Sequence, residues 1–240
     1  MIIAGHQPEY LPYIGLICKA MHADIFVFSD HLQYGKKQFQ NRNRIRTADG
    51  LDGWTWLTVP VITRGRFYQK IKDVEINNKL RWQERHLKSI YYSYKGTPFF
   101  EEYMPLFEKI YLQKWEKLED LNEAILRAIF SILKAEIRII KSSDYGVVGE
   151  KTEMLLDMCK KIGGDGYLSG QGGKLYVDES KFKEAGLSHQ YCEFNHPVYK
   201  QKFQPFVPNM SSIDLLFNEG SKSNEIIYRS DTRYNTSTGN

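Results

Sequence analysis

Two short apolar runs near the start, separated by a stretch of helical periodicity, constrain this chain more than any other feature. Met1 to Ala4 is apolar and ends at Gly5, and Asp24-Ile25-Phe26-Val27-Phe28-Ser29 is a denser aromatic and β-branched run, so both read as strands. Between them, Ile14, Ile17 and Met21 follow helical spacing, and Pro12 suits the first turn of a helix over Tyr13 to His22. Strand, polar loop, helix and strand in that order outline a βαβ unit. Such units pair their strands in parallel and leave the loop after the first strand at a sheet edge where ligands bind. That loop is Gly5-His6-Gln7-Pro8-Glu9-Tyr10.

Trp54 to Val61 and Ile71 to Ile76 read as further strands, the first with Pro60 near its end. Three amphipathic faces follow: Leu80, Leu87, Ile90, Tyr91 and Tyr94; then Met104, Phe107, Tyr111, Trp115 and Leu118; then Leu121, Ile125, Ala128 and Ile132. Alternation then returns. Ile137 to Ile140 reads as a strand, Glu150 to Ile162 as a helix, Gly166 to Ser169 as a strand entering a glycine-rich turn, and Leu187 to Phe194 as the last long strand. Asp178 is placed to cap a short helix that Gly186 stops, and Ser212 to cap a terminal helix that Gly220 ends. The expected fold class is α/β, a mostly parallel, Rossmann-like sheet with a helical insertion at about residues 79–134. Residues 1–220 are read as one α/β domain. Residues 221–240, rich in Ser, Thr and Asn, are read as a mobile tail.

The charge balance is 33 − 29 = +4, too mild to call for nucleic acid or an anionic membrane. Cys18, Cys159 and Cys192 are odd in number and contain no C-x-x-C pair, which points away from a disulfide framework and toward a reducing cytoplasm. Pro8 and Pro12 interrupt the N-terminus, so neither a signal peptide nor membrane insertion is expected.

Three constellations carry chemistry. In the first loop two prolines stiffen the backbone around polar groups; His6 titrates near neutrality and is placed to take a proton from an attacking amine or hydroxyl, with Gln7 and Tyr10 orienting substrate. The bland alternative is a turn braced by a histidine. The second runs from Asp30 to Arg46, with five basic and no acidic residues between Lys36 and Arg46. Extended backbone puts Arg42, Arg44 and Arg46 on one face, where forked donors match phosphate or carboxylate oxygens; a solvated surface strand is the alternative. The third is Asp165 to Tyr176, whose glycines follow a strand and allow close approach of an anion, with Ser169 and Lys174 adding donors. It has neither the Walker A nor the G-x-G-x-x-G spacing, and a flexible turn that needs positive φ is the alternative. His189, Cys192 and His196 do not make a metal site, because on a strand Cys192 and His196 lie about 13 Å apart. The tyrosines and the basic run carry no RNA-binding signature.

Taken together, several blocks resemble one family, the WbqC-like proteins of bacteria, named from genes in O-antigen clusters. They are His6 to Gly15, Ala23 to Asp30, Gln33-Tyr34, Asn41 to Ile45, Leu57 to Pro60, Tyr167 to Gly170 with Tyr176, and Ser211 to Gly220. The family usually has Trp where Tyr13 stands. The resemblance implies aminoacyl or acyl transfer onto amino sugars. The opening loop is also similar, at the level of fold alone, to nucleotide-binding α/β enzymes such as the cysteine ligase of bacillithiol synthesis.

The expected reaction is transfer of an aminoacyl or acyl group from an activated carrier to the amine of a nucleotide-linked amino sugar. An acyl carrier protein is a candidate donor partner. His6 is the expected base, with Asp30 as the alternative base or as the residue that orients it. Gln7, Tyr10, Tyr34, Arg42, Asn43, Arg44, Ser169, Gly170 and Tyr176 are the expected substrate-binding residues. Two other readings stand beside this one: an ATP-dependent amide-forming ligase, and a non-catalytic module that binds a sugar nucleotide or a partner.

Overall fold

The computed structural model describes residues 1–48 and 52–233. Strand β1 (Ile2–His6) leads through helix α1 (Ile14–Met21) into β2 (Ile25–Phe28). A hairpin of β3 (Arg42–Arg46) and β4 (Trp54–Thr58) follows, then helices α2 (Trp82–Tyr94), α3 (Phe100–Leu112) and α4 (Leu118–Leu133). The chain returns through β5 (Arg138–Lys141), α5 (Lys151–Ile162), β6 (Gly166–Ser169), α6 (Glu179–Glu184) and β7 (Ser188–Tyr191), and closes with α7 (Ser212–Glu219) and α8 (Ser223–Tyr228). The fold is α/β. Its main sheet has the order β5-β2-β1-β6-β7, with every pairing parallel, while β3 and β4 form a separate antiparallel pair.

The near-continuous apolar run of β2 follows from its burial on both sides. Phe26 and Phe28 pack into the larger core with α1 and the helical block, whereas Ile25 and Val27 alternate to the other face against Leu155, Met158 and Phe182 from α5 and α6. The helical segment expected over about 79–134 lies between β2 and β5 as α2, α3 and α4.

Several elements differ from expectation. Ile71 to Ile76 is not a strand: residues 71–73 form a 3₁₀ turn that buries Ile71 and Val74. The two are three positions apart, one turn of such a helix, where a half-buried strand needs alternation. The second amphipathic face breaks after Leu112, and Trp115 folds back to donate from Nε1 to the Ile110 carbonyl (2.8 Å), closing the end of α3. Ser211 rather than Ser212 caps α7, accepting from the Ile213 amide. The last strand is also shorter, ending at Tyr191. The expected tail from 221 is ordered through α8, where Ile227 is fully buried; residues 234–240 lie outside the described residues.

One departure from regular pairing positions everything that follows. Strand β1 stays paired with β2 as far as His6 opposite Phe28, but it meets β6 only at Ile2 and Ile3. Beyond Ile3 the strands part, and the Gly5 amide donates to the Tyr167 hydroxyl (3.0 Å) in place of a neighbouring strand. Glycine is needed there, since a Cβ at position 5 would stand 2.8 Å from that hydroxyl and 3.1 Å from the Met158 sulfur. Gly5→Ala is therefore expected to lower unfolding stability by about 1–3 kcal/mol, measured by urea denaturation, because the added methyl overpacks the gap and strains this hydrogen bond.

Candidate functional site

In an open parallel sheet, ligands bind outside the carboxyl ends of the strands where the strand order reverses. Here the chain moves from β1 to β2 and β5 on one side and then returns to β6 and β7 on the other, so the reversal lies between β1 and β6. A cavity of about 400 Å³ opens at that point. Gly5, His6, Gln7 and Glu9 come to it from the end of β1, Lys19 from α1, and Ser169 with Gly170 from the end of β6. Its size falls within the range of small-molecule sites.

The His6 ring is fixed by its neighbours. Nδ1 lies 2.9 Å from the Gln7 carbonyl, which has no proton to give, so Nδ1 carries the hydrogen and Nε2 keeps its lone pair. Glu9 Oε1 lies 3.8 Å from the same Nδ1. Burial, with the Lys19 ammonium next in importance, lowers His6 to about 3 against a weaker upward pull from the Gln7 carbonyl, so the ring is neutral at physiological pH. Even so, 31% of its side-chain surface stays accessible.

Glu9 and Lys19 were not singled out in the sequence. Lys19 is the one charged residue of α1, it is 5% exposed, and its Nζ donates to the Gly5 carbonyl at 2.9 Å. Burial lowers it to about 8, with Cys192 and Glu9 opposing. The Glu9 side chain is 9% exposed, and its Oε2 is buried with no hydrogen-bond partner. Burial pushes its carboxyl up to about 8, partly offset by Lys19. A signal for Lys19 was present: a lone charge amid Ile17, Cys18 and Ala20 on a helix with no polar face. Glu9 had only its place in the rigid loop.

The other expected site residues divide. Gln7, Ser169, Gly170 and Tyr176 line the cavity; Gln7 Oε1 accepts from Gln40 Nε2, and the Ser169 hydroxyl lies 2.9 Å from His189 Nε2. Tyr10 does not reach it. It is fully buried, and its hydroxyl bonds His86 Nδ1 (2.8 Å) and the Tyr111 hydroxyl, which ties the loop to the helical block. Tyr34 is packed in the core. Asp30 is also turned away: it is fully buried and accepts from Ser142 Oγ (2.8 Å), from the Ser143 amide (2.9 Å) and from Ser143 Oγ (2.5 Å). Burial alone would raise its carboxyl, but these bonds outweigh it and hold the group low, as suits a fixed acceptor better than a base.

The arginine row lies on the separate hairpin, outside the walls of this cavity. Arg42 stacks on Trp56 (4.2 Å) and Arg44 on Trp54 (5.0 Å), with Arg44 Nη2 donating to the Asn209 carbonyl (3.0 Å). Arg46 does not share that half-buried ladder: it is 1% exposed and donates to the carbonyls of Gly53, Phe203 and Pro205. Asn43 is buried and donates to the Leu11 carbonyl (2.8 Å), tying the hairpin to the end of the first loop. The hairpin still abuts the site, because Phe39 lines the cavity and packs on Trp56 at 5.9 Å. Among the described residues no group of three or more His, Cys, Asp or Glu could hold a metal ion, and no helix is long and apolar enough to cross a membrane.

The chain matches the WbqC-like protein family over residues 7–226. It belongs to that family. A protein of Mycobacterium tuberculosis (strain ATCC 25618 / H37Rv), uncharacterized protein Rv1507c, is 34% identical over 223 residues, which cover 92% of this chain and 95% of that one. No solved structure matches the chain. The matched span takes in Gln7, Glu9, Lys19, Ser169 and Gly170 of this WbqC-like chain, though His6 stands one residue before it.

Two substitutions separate a structural carboxylate from a site carboxylate. Asp30→Asn is expected to cost about 1–3 kcal/mol in urea denaturation, because one acceptor becomes a donor facing the Ser142 and Ser143 donors. Glu9→Gln has the opposite sign. With its folded value about 8 and its ordinary value 4.5, Glu9 takes up a proton on folding between those pH values, so it costs the fold stability as pH rises through that window. The glutamine variant is expected to match the parent near pH 4.5 and to exceed it by about 2–4 kcal/mol at pH 8.

Proposed function

We propose that this chain transfers an acyl or aminoacyl group from an activated carrier to the amine of a nucleotide-linked amino sugar. The observation that carries the reading is the pairing, at the parting of β1 and β6, of an unpartnered buried carboxyl oxygen on Glu9 with the lone-pair nitrogen of His6. Buried polar atoms are almost always satisfied, so an orphan oxygen in a cavity wall is suited to a ligand donor. An amine supplies one. Glu9 orients the amino group, and His6 Nε2 takes its proton as the nitrogen attacks the acyl carbon.

Lys19 supplies a cation where negative charge gathers on the carbonyl oxygen, and Ser169 with Gly170, which lies beside the Lys19 side chain, adds donors. Gln7, held by Gln40, keeps the loop in register with the sugar. The nucleotide extends past Phe39 toward the hairpin, where Arg42 and Arg44, lying over the same Trp56 that Phe39 packs on, offer guanidinium groups to its phosphates. Asn43 serves this arrangement from behind, through its bond to Leu11.

The test is turnover of an amino-sugar nucleotide in the presence of a carrier-bound acyl group, followed by mass spectrometry of the N-acylated product. His6→Ala is expected to slow the reaction by about 100- to 10,000-fold, with KM for the sugar nucleotide changed by less than about threefold. An unchanged rate in that variant removes His6 as the base. Turnover that requires ATP and releases AMP instead assigns the same cavity to a ligase.

A further inference from the structure

The large cavity is not alone at the end of β1. A second one, of about 160 Å³, adjoins it, and His6, Lys19, Gly170 and Gly172 belong to the walls of both. Its remaining walls are formed by Tyr13, Gly15, Leu16, Gln171, Cys192 and Phe194. Leu16 comes from α1, Phe194 from the segment after β7, and Tyr13 stands edge-on to Phe194 at 6.1 Å. Gly15 lets the Tyr13 ring lie close on the helix, since a Cβ there would stand 2.5 Å from the ring. Glu9 belongs to the large cavity and not to this one, and no carboxylate is among the residues that line it. Its one ammonium is that of Lys19.

We infer that the small cavity is the acyl subsite, and that it selects a short, uncharged acyl group. The inference rests on the transfer reading above and narrows it. At about 30 Å³ per water-sized group, 160 Å³ accommodates roughly five non-hydrogen atoms. An aminoacyl group brings an α-ammonium, which meets a like charge on Lys19 and finds no carboxylate to pair with, so the charge pattern rejects it. The amine acceptor is instead drawn to Glu9 in the large cavity. With the acyl tail in the small cavity and the sugar in the large one, the reacting carbon lies at the shared wall, beside His6 and Lys19.

The step balances with a thioester as donor. The sugar amine attacks the thioester carbonyl, the C–N bond forms, the C–S bond breaks, and the amine proton passes through His6 Nε2 to the departing thiolate.

Binding of a series of S-acyl pantetheines, measured by saturation-transfer NMR and calorimetry, tests the subsite without turnover. Acetyl, propionyl and butanoyl pantetheine are expected to bind through their acyl methyl groups, octanoyl pantetheine at least tenfold more weakly, and glycyl pantetheine at least tenfold more weakly than acetyl at pH 7. Phe194→Ala opens the cavity at a half-buried position and is expected to bring octanoyl pantetheine to within about threefold of butanoyl. Equal binding of glycyl and acetyl forms, a flat length profile, or a profile that Phe194→Ala leaves in place overturns the assignment. So does a complete lack of binding across the series. The length cut-off together with no acylation of any amino-sugar nucleotide supports the subsite and overturns the transfer reading instead.

Discussion

Everything at the candidate site depends on where two parallel strands stop pairing. A βαβ unit whose neighbours were bonded along their full length would close the sheet edge and leave no space between the strand ends. Here β1 and β6 share only their first residues, and the Tyr167 hydroxyl takes the place of a strand partner for Gly5. The opening is thus supported from beneath by a side chain that satisfies the backbone. The Gly5 carbonyl on the same residue receives the Lys19 ammonium, so a single glycine bridges the sheet, the helix that follows it and the floor of the cavity.

The second consequence is electrical. Three titratable groups sit at the end of β1 with few fixed partners, and each is displaced toward its neutral form by burial. Elsewhere in the chain the protein handles buried charge differently. Asp30 is saturated by serine donors, and Asp231 is forked by Arg233. The contrast separates carboxylates that hold the fold from one whose bonding capacity is left open. Unfilled capacity of this kind costs stability, and proteins keep it where binding repays the cost.

Much of the architecture was readable from residue order. The run Ile25 to Phe28 could be buried only on both faces, and Gly166 to Ser169 followed by glycines could hardly be other than a strand entering a turn. Ile71 to Ile76 misled because apolar spacing of three and two fits a 3₁₀ turn and a strand about equally until tertiary contacts choose. At the site, His6, Gln7, Ser169, Gly170 and Tyr176 meet because strand ends converge, which sequence order can indicate. The burial of Tyr10, Tyr34 and Asp30 depends on which way each side chain turns, and a tyrosine or aspartate in a loop carries no mark of that. The arginine spacing fits the extended strand that forms there, yet the hairpin that carries it pairs only with itself, so the guanidinium groups of Arg42 and Arg44 stack on Trp56 and Trp54.

The bond network of Tyr10 with His86 and Tyr111 has one more implication. It fastens the reactive loop to α2 and α3, a block inserted more than seventy residues later in the chain. The loop therefore behaves as a cantilever clamped at its distal end, and its stiffness is borrowed from helices that contribute no group to the cavity. Lineages that trim or remodel those helices would have to retune the loop at the same time, so the two segments are bound to drift together.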